Sequence, residues 1–160
     1  MLAVQVITTN TKTTIEKIPD FENGTIWEDP ISGHKIGCLD ASKKEDIDNL
    51  MQGEKAILAI QDPPYNVGIN DEFGNLPLEQ YIRWSEKWVD NTLDILAKDS
   101  SLYIWLGADI RDGLQPFPDF IIMMRKKPVR VRNLITMRNQ RGYGTQKNWM
   151  AIRQELIYYI

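Results

Sequence analysis

The tetrapeptide Asp62-Pro63-Pro64-Tyr65 carries the most specific chemistry in the chain. Two successive prolines fix φ and remove two N–H donors, so the backbone there is held extended with its carbonyls free to accept hydrogen bonds. The Asp62 carboxylate and the Pro63 carbonyl can then both receive hydrogen bonds from one amino group, while Tyr65 offers a flat face on which a base can stack. That arrangement suits methyl transfer to an exocyclic amine, whose lone pair is delocalised into its ring and is a poor nucleophile. Two acceptors on its hydrogens restore nucleophilicity, and the carboxylate favours a nearby sulfonium donor and takes up charge as the nitrogen becomes positive. No covalent enzyme intermediate is needed.

The surrounding pattern predicts the elements that must hold this motif. Residues 56–60, Ala-Ile-Leu-Ala-Ile, form an unbroken apolar run of strand length and read as a parallel strand buried on both faces, ending at the motif. Ligands of open parallel sheets bind beyond such carboxyl ends. Upstream, residues 35–39 are strand-like, and Ser42-Lys43-Lys44-Glu45 has capping-box form ahead of a short helix with Ile47, Leu50 and Met51 on one face and Gly53 at its left-handed end. After a loop with Gly68, Gly74 and Pro77, residues 78–97 place Tyr81, Trp84, Trp88, Ile95 and Leu96 on the core face of a long helix. Residues 101–106 form a second strand closed by Gly107, and residues 119–126 a short helix stopped by Pro128. Residues 129–137 form a third strand, residues 138–148 a polar loop, and residues 156–160 a last apolar run. Strands alternating with helices predict an α/β fold with a mainly parallel sheet and flanking helices. Residues 1–33 are polar, Thr-rich and broken by Pro19, Gly24 and Pro30; they read as an arm of uncertain structure ahead of a domain over residues 34–160.

Asp62-Pro63-Pro64-Tyr65, with Asn66 and Gly68 following, resembles the signature of the DNA amino-methyltransferases that use S-adenosylmethionine. At residue frequencies of ~5% each, a specified tetrapeptide arises by chance in a chain this long with odds on the order of one in a thousand. Residues 101–106, Asn133-Leu134-Ile135-Thr136-Met137-Arg138 and Gln154-Glu155-Leu156 look like successive elements of the same family, so the resemblance covers roughly residues 34–160. It implies a Rossmann-like methyltransferase fold, here partial, and a base flipped from the duplex into a pocket beside the methyl donor. Carried over to the matching residues, Asp62 and Pro63 bind the amino group, Pro64 holds the turn, Tyr65 stacks on the base, and Asp62 also faces the cofactor. Aspartate at the first motif position favours adenine N6 over cytosine N4, and DNA over protein or ribosomal RNA. Asp40, ending Cys38-Leu39-Asp40, stands where such enzymes often place an acidic residue near the cofactor; its other reading is a turn cap.

The chain departs from the family in lacking the Phe-x-Gly-x-Gly loop that approaches the cofactor. The Gly142-Tyr143-Gly144 triplet follows Gln140-Arg141 and reads as a flexible loop facing nucleic acid. In a circularly permuted class of the family, the catalytic half comes first, then the target-recognition region, then the glycine-rich half. This sequence fits the first half, as a fragment, a subunit completed by a second polypeptide, or a remnant, and is expected to have little activity alone. The different-class alternative is a catalytically silent nucleic-acid-binding or assembly module.

Charge supports contact with nucleic acid. Residues 1–120 carry 10 Lys/Arg against 21 Asp/Glu, whereas residues 121–160 carry 9 against 1, so a net −11 is followed by +8. Arg138, Arg141, Lys147 and Arg153, interleaved with Tyr143 and Trp149, are the candidate DNA contacts; a solvated basic face is the other reading. The lone Cys38 and lone His34 exclude an internal disulfide and a Cys/His zinc site, and both read as structural. At 160 residues, with no leader-like or membrane-length apolar run, the chain reads as one intracellular domain.

Overall fold

A computed structural model describes residues 22–66, 75–107, 116–143 and 151–160. The first strands, β1 (Ile26–Glu28) and β2 (Lys35–Gly37), form an antiparallel hairpin that straddles the expected boundary at residue 34. Helix α1 (Lys44–Met51) follows, but the capping box does not form: Ser42 turns its backbone N–H and hydroxyl to Asp40 Oδ1 (2.9 and 2.7 Å) rather than to the helix. Its end is left-handed at both Gln52 (φ 50°) and Gly53 (φ 86°), as the glycine predicts.

Strand β3 (Ala56–Gln61) leads to helix α2 (Leu78–Ile95), which passes directly into β4 (Leu96–Gly107); helix α3 (Phe117–Met124), β5 (Val131–Tyr143) and β6 (Ala151–Tyr159) complete the described chain. These strands form one sheet in the order β3-β4-β6-β5. The α/β class and flanking helices stand, but strand directions are mixed: β3 and β4 are parallel, while β6 is antiparallel to both β4 and β5. Parallel neighbours require a crossover of a dozen or more residues, which α2 supplies between β3 and β4. Only seven residues separate β5 from β6, so the chain doubles back. The segment read as a loop from Arg138 is strand as far as Tyr143.

One face of the sheet carries the core. Leu102, Ile104 and Leu106 of β4, with Ile157 and Tyr159 of β6, lie under Trp88 and Val89 of α2 and Phe120, Met123 and Met124 of α3. Trp88 stacks on Phe120 at 5.8 Å between ring centroids and meets Trp84 edge-on at 6.3 Å. The aromatic stripe read from the sequence is thus core, with Tyr81 and Trp88 fully buried. Lys127 clasps α2 from beyond α3, its Nζ 2.9 Å from Glu86 and 2.6 Å from Asp90. Burial works against its charge, and the two carboxylates outweigh that effect, so its pKa is raised.

Strand β3 corrects the expectation of two buried faces. Ile57 is 76% exposed, Leu58 52% and Ile60 58%. An unbroken apolar run predicts burial but cannot supply the neighbour, and β3 is an edge of the described sheet. Across the face away from the helices, Leu58 and Ile60 continue into Tyr103 and Tyr158, whose rings stack at 4.5 Å, and into exposed Ile135 and Met137.

Candidate active site at the end of β3

Gln61, the last residue of β3, turns its side chain inward, and its Nε2 donates to Thr92 Oγ1 (3.3 Å) on α2. The following residues leave the sheet with alternating exposure: Asp62 is exposed, Pro63 is buried, and Pro64, Tyr65 and Asn66 are half-buried. Three contacts then set the turn. The Tyr81 hydroxyl, from the first turn of α2, donates to the Pro64 carbonyl at 2.7 Å. Asn66, at φ 58°, accepts from the Leu76 N–H (2.7 Å) and donates to the Leu76 carbonyl (2.9 Å), closing the loop across its base. Asparagine tolerates this left-handed conformation better than most residues. The Tyr65 hydroxyl donates to Asp62 Oδ1 at 2.6 Å.

The four motif residues are therefore brought together, with the Asp62 carboxylate at the surface and the Tyr65 ring beside it. Burial first, and then the hydrogen bond to Asp62, raise the Tyr65 phenol well above the ordinary tyrosine range, so it remains a donor near neutrality. Because the Tyr81 contact occupies Pro64 rather than Pro63, the Pro63 carbonyl named by the sequence as the second amine acceptor is not consumed by that strut. Tyr81 read only as core from its helical spacing; its hydroxyl role depends on where α2 crosses the turn. Tyr81→Phe is expected to remove about 1–2 kcal/mol of stability by leaving a carbonyl unpaired, a fall of roughly 2–8 °C in Tm by thermal denaturation.

The remaining candidates are more dispersed. Asp40 is occupied in its turn with Ser42, and its Oδ2 lies 4.0 Å from Lys43 Nζ. Arg138 and Arg153 are exposed and face each other across β5 and β6. They lie one register step beyond Gln154, the partner of Gly107, and so at the same end of the sheet as Asp62. Arg153 Nε is 3.3 Å from Oε1 of buried Glu155, whose Oε2 accepts from Thr136 Oγ1 at 2.6 Å. Glu155 belongs to the Gln154-Glu155-Leu156 stretch that resembles the family, but nothing in the sequence marks its carboxylate as buried. The backbones of Arg141 and Tyr143 belong to β5, whereas Lys147, Trp149, Gly68 and Gly144 lie outside the described residues. Cys38 is buried beside Asn23, and among the described residues no cluster of His, Cys, Asp and Glu has metal-binding form.

An α/β sheet with helices packed on one face and an acidic Pro-Pro-Tyr turn at a strand end is the Rossmann-like architecture expected from the sequence. Among solved structures, the PvuII DNA methyltransferase (cytosine-N4-specific) is similar at a TM-score of 0.51 and 14% identity, over 69% of this chain and 45% of that one. The sequence model of the N6_N4_Mtase family, DNA methylase, matches residues 57–160. The chain belongs to this DNA amino-methyltransferase family. The type II methyltransferase M.MjaVI of Methanocaldococcus jannaschii is 34% identical over 65 residues, covering 39% of this chain and 34% of that protein. The type II methyltransferase M1.MboII of Moraxella bovis is 27% identical over 128 residues, covering 79% and 44% respectively. The chain thus spans less than half the length of these relatives.

Proposed function

We propose that this chain is the catalytic half of a DNA methyltransferase that methylates the exocyclic amine of a flipped base, most specifically adenine N6. The observation that carries this reading is an exposed Asp62 carboxylate held beside Tyr65 at the carboxyl end of β3. Asp62 and the Pro63 carbonyl accept the two N–H bonds of the amine and direct its lone pair outward, while the Tyr65 ring holds the base by stacking. As the amine gains its methyl group and a positive charge, Asp62 stabilises that charge and the departing proton passes to it or to water. S-adenosylmethionine supplies the methyl group when bound; an exposed carboxylate suits its sulfonium, and Asp40 is the second acidic candidate on its side. Aspartate at position 62 supports adenine over cytosine N4.

The other half of the site, with the glycine-rich cofactor loop, belongs to a further polypeptide segment, whether joined to this one in a longer protein or supplied by a second polypeptide. Exposure of Ile57 on one face of β3, and of Leu58 and Ile60 on the other, supports a sheet that continues past this edge, because a single covering helix would bury only one face. Among the described residues, no helix is long and apolar enough to cross a membrane. A DNA substrate is in keeping with a cytoplasmic enzyme.

The test is transfer of labelled methyl groups to unmethylated DNA, by this chain alone and by this chain joined to the portion of M1.MboII outside the matched stretch. Incorporation at adenine N6 by the joined protein only is the expected result. N4-methylcytosine as product overturns the adenine assignment, and robust incorporation by the chain alone overturns the half-enzyme reading. If Arg138, Arg141, Lys147 and Arg153 each contact a phosphate of duplex DNA, log K against log salt has a slope of about −3 to −4, and removing Arg138 and Arg153 together makes it shallower by about 2. An unchanged slope in that double variant assigns the arginine pair to a solvated face.

A further inference from the structure

Gly107 ends β4, where a side chain is ordinarily favoured and glycine is depleted. Its φ is not in the left-handed region, so any residue could take its backbone conformation, and the demand for glycine is one of space. A Cβ built there would sit 3.0 Å from Tyr65 Cβ and 3.1 Å from Tyr65 Cγ and Cδ2. Tyr65 Cβ is fixed to the backbone of the turn, so a methyl group at position 107 forces the ring and the turn to give by a few tenths of an ångström. Glycine inside a strand marks just such a close approach.

We propose that Gly107 is a positioning residue: its bare Cα is the seat on which the Tyr65 ring rests, and it fixes the height of the stacking face beside the Asp62 carboxylate. The ring spans two neighbouring strand ends, rooted in the turn that follows β3 and resting on β4 at Gly107. The Asp62 hydrogen bond at 2.6 Å then fixes the hydroxyl end, so the ring is held at both ends. A methyl group at position 107 lifts the ring and breaks that register. The inference rests on Tyr65 being the stacking face of the proposed reaction, but the seat itself can be tested without catalysis.

The decisive experiment is a double-mutant cycle in thermal denaturation of this chain. Gly107→Ala is expected to lower Tm by several degrees with Tyr65 present and by less than a degree in a Tyr65→Ala background. Equal losses in both backgrounds overturn the seat. Should Gly107→Ala fail to fold, recovery of folding on adding Tyr65→Ala supports the seat, and continued failure overturns it. NMR gives a direct signature: a Gly107 Hα lies against the Tyr65 ring and is shifted upfield, and the shift disappears in Tyr65→Leu. A short single-stranded oligonucleotide containing 2-aminopurine separates the seat from the function. Quenching by the chain joined to its cofactor half that weakens in Gly107→Ala at saturation supports both, whereas saturable binding of the oligonucleotide by that joined protein without quenching overturns Tyr65 as a stacking face and leaves the cycle to decide the seat.

Discussion

In the completed enzyme, Asp62→Ala lowers kcat for methyl transfer by about 10²–10³-fold or more, the loss typical of removing one preorganised electrostatic group from an active site. The carboxylate is exposed and lies outside the core, so the substitution leaves the fold intact; its only described side-chain partner is the Tyr65 hydroxyl. The expected loss therefore falls on the chemical step. DNA affinity stays within about twofold or tightens slightly, because a negative charge has been removed from a surface that faces phosphate. Single-turnover methylation and equilibrium DNA binding, measured on the same preparation, separate the two. An Asp62→Ala enzyme within tenfold of the parent rate removes Asp62 from the reaction, whereas equal loss of rate and binding assigns it to holding the turn.

Trp88→Ala is expected to have the largest effect on stability, about 3–5 kcal/mol, because it empties a site that α2, α3 and the sheet all fill. Trp88 is fully buried, stacks on Phe120 and packs edge-on against Trp84. For a chain of this length that amounts to a fall in Tm of roughly 6–20 °C. Ile57→Ala is the contrasting control: a residue 76% exposed loses little buried area, and its effect in the chain alone should stay within about 0.5 kcal/mol. Calorimetry of both variants checks the pair. Comparable losses would place Ile57 in a buried interface of the free chain and remove the open edge of β3.

Several elements were legible for identifiable reasons. The spacing of Tyr81, Trp84 and Trp88 specifies a helix with one buried face whatever it packs against, and α2 lies within two residues of the expected bounds. Residues 56–60 are apolar, short and bounded by charge at Lys55 and Asp62, so a strand follows from local composition. The Asp-Pro-Pro-Tyr motif is local in the same way: its prolines fix the backbone wherever the turn is placed. Ser42 does not cap the helix because its hydroxyl can either accept from a helical N–H or donate to a carboxylate two residues back, and the turn at Asp40 wins. The continuation of β5 through Arg138–Tyr143 was hidden by polar residues, since an edge strand paired on one side tolerates charge.

Periodicity, backbone restriction and residue chemistry act between neighbours in the chain, and they sufficed to specify the helices, the strands' apolar character and the acidic Pro-Pro-Tyr turn. Contacts between distant segments decided the rest: that β6 runs antiparallel beside β4, that β3 stands at an edge with its apolar side chains exposed, that the Tyr81 hydroxyl braces Pro64, and that Gly107 lies beneath Tyr65. Each of these depends on which segment lies across the gap and at what distance. Residues 42 positions apart, such as Tyr65 and Gly107, carry no mark of each other in the sequence, and only close packing of the folded chain makes the size of one limit the position of the other.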